Sequence, residues 1–213
     1  MVVSSMISAR LLCCGLAASA ASAFHTNHLL QARRPYSQRQ LVVLSNSATE
    51  AEDFVMKNFP AAWDLLQRNN DVMKKMNKAE LGFTIFAPNE AAFKSLGDKR
   101  NGQLKDVRNE EVVEKIAAYH IVAEPVTADQ LFNSGGIVTE GGEVPAERSV
   151  SGGLFGLGGK EDGGVTLSGS KVVNSFEFGD KAEKFCIVHE MDGLISPSIL
   201  WRYADQLRIP GST

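Results

Sequence analysis

Apolar residues recur at helical spacing from Glu52 to Lys78, where Phe54, Phe59, Trp63, Leu66, Val72, Met73 and Met76 mark the inward side and Pro60 breaks the run into pieces. The methionines read as core filling, because the flexible thioether adapts to irregular gaps. At Phe83 to Phe86 the pattern changes to a short β-rich run. Pro88 stops its ladder, and Asn89 offers a side-chain oxygen to cap a helix. That helix carries Ala92, Phe93 and Leu96 on its buried side, and Gly97 supplies a left-handed stop. Gly97 to Arg108 reads as a polar connection. Asn109 is placed to cap the next helix, with Glu110 and Glu111 suiting the dipole of its first turn and Val112, Val113, Ile116 and Ala117 facing the core. Thr127 to Gln130 is a capping box that opens a short helix through Leu131 and Phe132.

Beyond this point the pattern shortens to strand-length runs at Ile137 to Thr139, Val144 to Val150, Val165 to Leu167, Lys171 to Val173, Phe176 to Phe178 and Phe185 to His189, separated by glycine-rich turns. Helices first and strands later predict an α+β domain, with N-terminal helices packed on a compact β-sheet wedge. No internal repeat is visible, so one domain is expected. Ile199, Leu200, Tyr203 and Leu207 then give Ser198 to Arg208 the spacing of a short amphipathic helix that packs on the domain.

Three stretches stand in an order that carries a resemblance: Thr84, Phe86, Ala87, Pro88, Ala92 and Phe93 in the central strand-to-helix joint; the pair Tyr119 and His120; and His189, Asp192 and Pro197 near the end. Together they resemble the Thr-x-Phe-Ala-Pro-x-x-x-Ala-Phe, Tyr-His and Val-His-x-x-Asp-x-x-x-x-Pro marks of the fasciclin domain. The resemblance spans 52–200 and leaves 201–213 as a C-terminal tail. It implies a non-enzymatic adhesion or interaction module. Integrin recognition, tied in animal members to the Tyr-His region and an Asp-Ile segment, is not carried over, because the second has no counterpart here. The family's Asn-Gly before the last strand is replaced by Phe185-Cys186.

Charge narrows the partners. All 25 acidic residues follow Thr49, whereas four of the 22 basic ones precede it, so the body is more acidic than the whole chain's −3. No concentrated basic face is visible, which argues against nucleic acid.

The first 48 residues have a different grammar. Residues 1–23 carry one arginine, an apolar centre and small residues up to Ala23, as in a signal peptide cut between Ala23 and Phe24; the apolar run is too short for a membrane span. Residues 24–48 contain no acid and supply Arg33, Arg34, Arg39 and several serines, which is transit-peptide character. The junction resembles the bipartite presequence of algae with secondary plastids, where Phe follows the cut, and implies a plastid destination. Arg33-Arg34 before Leu41 to Leu44 also admits a twin-arginine signal to the thylakoid lumen, though four apolar residues make a poor hydrophobic region. Stroma and lumen stay open, and secretion is the alternative destination.

Candidate chemistry is sparse. Gly152 to Lys160 fails as a phosphate loop on spacing, and Glu161 stands where Ser or Thr would hold magnesium. Its Leu154, Phe155 and Leu157 instead read as a hairpin tip that meets a protein partner or folds back on the domain. His120 and His189 lie in apolar strand contexts with no nucleophile or acid at a recognisable spacing, and they read as buried, hydrogen-bonded supports. Asp192 reads as a turn or capping carboxylate, and Cys186 as a small buried residue. Gly179 to Glu183 is too poor in oxygen ligands for calcium, and no zinc spacing occurs. The expectation is therefore no enzyme, no cofactor and no metal. The expected partner is a protein, such as a membrane photosynthetic complex, with the chain peripheral to the membrane. A secreted adhesion protein is the second reading; an enzyme or small-ligand carrier using a pocket near His120 is the third.

Overall fold

The computed structural model describes residues 42–44, 48–151, 160–179 and 184–206. All belong to the compact unit Arg33–Thr213; the other unit, Met1–Ala32, lies outside the described residues, as do the cleavage pair Ala23 and Phe24 and the loop residues Leu154, Phe155 and Leu157.

The first helices are those the apolar spacing predicts: α1 (Ala48–Asn58), α2 (Pro60–Leu66, with Pro60 at its start) and α3 (Asn70–Lys78). Asn69 caps α3 by accepting the Val72 N–H at 3.0 Å. Strand β2 (Thr84–Pro88) follows, then α4 (Glu90–Ser95), capped as expected by Asn89, whose Oδ1 accepts the Ala92 N–H at 2.9 Å. Helix α6 (Glu110–Ala118) leads into the short β3 (Ile121–Val122), and the Thr127 capping box opens α7 (Ala128–Ser134).

Three expectations are corrected. The connection after Gly97 is a helix, α5 (Gly97–Lys105), followed by a 3-10 turn at Val107–Asn109. Asn109 makes no side-chain cap: it is buried, and its Nδ2 donates to Gln103 O at 2.9 Å. The runs at Lys171 and Phe176 form one strand, β7 (Ser170–Phe178), with a register shift between Val172 and Asn174.

The remaining strands are β1 (Val42–Leu44), β4 (Gly136–Thr139), β5 (Gly142–Ser151), β6 (Lys160–Leu167) and β8 (Cys186–Met191). Their order is β3-β2-β8-β7-β6-β5-β4, with β1 beside β7. The pairs β2 with β8 and β1 with β7 are parallel, the others antiparallel. The two ends of the sheet approach each other, because Glu140 N–H donates to Ile121 O and Gly141 N–H to Ala118 O, both at 2.9 Å. The result is a mixed, nearly closed sheet with helices, an α+β architecture.

Strand β2 is buried along its whole length, and its alternation splits the core. Ile85 and Ala87 face Val55, Leu66, Met76 and Val188 under α1 to α3, whereas Phe86 faces Leu131, Val144, Leu167 and Met191 inside the curled sheet. A third cluster joins α6 to α8 (Ser198–Gln206) through Val113, Ile116, Leu200 and Trp201. Helix α8 thus packs on the domain, but through Leu200, Trp201 and Ala204 rather than the expected stripe: Ile199 and Tyr203 are exposed, and Leu207 lies outside the described residues. No described helix is long and apolar enough to cross a membrane.

Candidate functional site

The three motifs meet around Phe86. Its N–H donates to His120 O at 2.8 Å on one side, and on the other its ring stacks on His189 with centroids 5.4 Å apart. Register brings this about: β2 lies between β3, which follows the Tyr-His pair, and β8, where Phe86 pairs with His189.

Each imidazole is fully buried and has both nitrogens engaged. His120 Nδ1–H donates to Ile116 O at 2.8 Å, and its Nε2 accepts the Ile195 N–H at 3.1 Å. His189 Nε2–H donates to Val126 O at 2.8 Å, and its Nδ1 accepts the Ser175 hydroxyl at 2.7 Å. In His120 the partners require a neutral ring with its proton on Nδ1; in His189 the Val126 carbonyl places a proton on Nε2, and burial keeps the ring neutral so that Nδ1 accepts from Ser175. Burial disfavours the charged form and pushes both pKa values down to about 4, against the smaller upward pull of the carbonyl partners.

Thr84 holds the strap Glu124 to Val126, which His189 also grips. Its hydroxyl donates to Glu124 O and accepts the Val126 N–H, both at 2.8 Å, so Val126 is held through its N–H by Thr84 and through its carbonyl by His189. Asn89 extends the joint by donating to Glu190 Oε1 at 2.9 Å, while Asn174 donates to Glu190 Oε2 at 2.7 Å. Asp192 accepts the Lys171 N–H at 2.6 Å and returns its own N–H to Lys171 O at 3.1 Å. Pro197 O accepts the Leu200 N–H at the start of α8. Tyr119 is half-buried, its ring against Gly141: a β-carbon on Gly141 would stand 2.6 Å from it. Ala87 and Ala92 are buried in the core, and Phe93 packs on it.

The motif side chains described here are thus engaged with the fold. Cys186 is buried, and desolvation pushes its thiol pKa up, away from the reactive thiolate. Among the described residues no group of three or more His, Cys, Asp or Glu is placed to hold a metal ion. A cleft of about 160 Å³ lies between α2, α4, α5 and α6, floored by Leu65, Phe93, Leu104 and Val113 and rimmed by Arg68 and Lys105. Neither His120 nor His189 lines it.

Sequence reasoning missed Ser175, Val126 and Glu190. Each acts through a partner more than ten residues away, and only the sheet register brings such pairs together.

The fasciclin domain profile matches residues 57–197, more than half of the chain. Among solved structures, the chain is similar to a FAS1 domain pair from the insect cell adhesion molecule fasciclin I, at 19% identity and a TM-score of 0.43, over 71% of this chain and 56% of that one. The chain therefore spans about half the length of that domain pair. No curated protein matches it. The profile match, covering all three motifs, makes this chain a member of the fasciclin domain family, whose domains generally serve as non-enzymatic adhesion or interaction modules.

Proposed function

We propose that this chain is a plastid-resident protein-interaction module that serves as an accessory to a thylakoid photosynthetic complex. The observation that carries the interaction half is the long β5–β6 hairpin. Ser151 pairs with Lys160 and Val150 with Glu161, so the strands close on either side of the segment bearing Leu154, Phe155 and Leu157. Apolar residues in the sequence that connects two paired strands suit a protein contact, since connections on a rigid scaffold are where binding residues concentrate. The buried histidines support the same reading, because both are committed to backbone and hydroxyl partners rather than to a substrate. The plastid half rests on the leader, with its signal-peptide grammar followed by an acid-free segment containing Arg33, Arg34 and Arg39.

The test is a native gel of gently solubilised plastid membranes, run with wild type and with the triple variant Leu154→Ser, Phe155→Ser, Leu157→Ser. Wild type migrates with a large pigment-protein complex and the variant as a free species. Unchanged migration of the variant rejects the loop as the contact.

Secretion to the cell surface is the second reading. Fasciclin domains are often secreted or displayed there, and the domain pair similar to this chain comes from a cell adhesion molecule. A reporter fused to residues 1 to 48 separates the two: plastid import supports the first reading, and release to the medium supports the second.

A further inference from the structure

Strand β7 has two different neighbours along one side. Its first residues pair with β6, at Ser170 with Leu167 and Lys171 with Thr166, and there that pairing ends. Further along the same strand, Val42, Val43 and Leu44 pair in parallel with Phe176, Glu177 and Phe178, while β8 holds the opposite side of those residues. Without β1, this part of β7 would be an edge. Unpaired N–H and C=O groups beside Phe176 and the fully buried Phe178 would template pairing with another chain.

The segment that covers this edge lies inside the acid-free leader-like stretch. We propose that Val42–Leu44 is a permanent strand of the mature domain and that the maturation cut falls N-terminal to Val42, not at Ala48 where the basic, hydroxylated segment ends.

Four observations support this. Ala48 is the first residue of α1 and packs against the core, so a cut after it would remove part of a helix as well as a strand. Helix α1 lies on the same part of β7, with the Phe54 ring 4.7 Å from Phe176 and 5.2 Å from Phe178. Only three residues separate Leu44 from α1, a reach of roughly 15 Å at 3.8 Å per Cα step, so β1 is delivered locally at a high effective concentration. The run Leu41 to Leu44 also has the continuous aliphatic, partly β-branched character of a parallel strand. The inference is independent of the destination, since a plastid or a secreted form would retain the same strand.

Two measurements decide it. Mass spectrometry of the protein from its native cells maps the mature N-terminus. The expected start lies between Phe24 and Val42, and a start at Val43 or later overturns the proposal. In the full chain, alternate residues of a strand direct their N–H to opposite sides, so the double variant Val42→Pro, Val43→Pro removes whichever amide serves β7. Hydrogen exchange at those of Phe176 to Phe178 whose N–H faces β1 is expected to accelerate tenfold or more while amides between β2 and β8 keep their protection. The control Val42→Thr, Val43→Thr stays slow. Unaltered exchange at Phe176 to Phe178 in the proline variant overturns the proposal, and if that variant unfolds throughout, the mapped N-terminus still decides.

Discussion

Ile195 N–H donates to His120 Nε2 at 3.1 Å, joining residues 75 positions apart. With His120 Nδ1–H on Ile116 O, this bond ties α6 to the segment that leads into α8. His189 does the same for β7 and the strap at Val126. The two histidines therefore act as cross-chain supports built from neutral imidazole.

Removing either ring should be costly. His120→Ala leaves a cavity, strands the Ile195 N–H in the core and takes one of two donors from the Ile116 carbonyl, which keeps the Tyr119 N–H; His189→Ala leaves a cavity and strands the Val126 carbonyl. Each should lose about 3 kcal/mol of unfolding free energy, read from urea denaturation. Thr84→Val, which keeps the shape and removes the hydroxyl between Glu124 and Val126, should lose about 1–2 kcal/mol.

Acidification should weaken the fold before most carboxylates titrate. Both folded-state histidine pKa values are lowered from 6.5 to about 4, so between those values the unfolded chain binds more protons than the folded one. Stability is then fully present above pH 6.5 and falls as the pH drops toward 4. Each histidine contributes a slope approaching 1.4 kcal/mol per pH unit, roughly 3 kcal/mol across the window. Thermal melts from pH 7 to 4 check this. A midpoint constant down to pH 4.5 would contradict it.

Much of the fold was legible because local chemistry and global packing agree. Asn89 caps α4, Thr127 opens α7, Pro60 starts α2, and the alternation of Ile85 and Phe86 splits the core as a strand should. Helix α5 was not legible. It buries only Gln103 and Leu104, so no apolar stripe marks it. Polar contacts from far along the chain hold it instead: Gln103 Nε2 donates to Asp205 at 2.8 Å, and Arg100 lies 4.9 Å from the Trp201 ring. Asn109 looked like a cap, yet its amide turns inward to Gln103 while Asp106 caps the preceding turn. The runs at Lys171 to Val173 and Phe176 to Phe178 read as separate, but they are one strand: Asn174 between them stands at the register shift and finds Glu190. The motif positions were visible in the sequence, whereas the partners of His120 and His189 depend on the register and the chain return.

Gly141→Ala tests the close approach at Tyr119. The added β-carbon would meet the ring at 2.6 Å and the Tyr119 backbone nitrogen at 2.7 Å, and the backbone cannot swing aside as a flexible side chain would. A loss of about 2 kcal/mol is expected in urea denaturation, with the two ends of the sheet pushed apart. Retention of wild-type stability would mean the approach is looser than described.

Helix α8 belongs to the domain's stability. Trp201 is buried, and its indole N–H donates to Ser196 Oγ at 2.8 Å, so Trp201→Ala should lose about 3 kcal/mol. At Asp205 the Lys99 ion pair is exposed, whereas the bonds to Gln103 and Arg100 are half-buried, so Asp205→Ala should destabilise more than Lys99→Ala. Equal effects of the two variants in denaturant titrations would assign the contribution to the Lys99 ion pair.

The central claim is that the motif histidines support the fold as neutral rings of defined tautomer, leaving interaction to the surface. Nitrogen-15 NMR of the imidazoles, recorded from pH 7.5 down to the onset of unfolding, tests it most directly. The account predicts His120 protonated on Nδ1 and His189 on Nε2, with neither titrating above about pH 4.5. A ring titrating near 6.5, or carrying its proton on the other nitrogen, would contradict it and return that histidine to the list of groups free for chemistry.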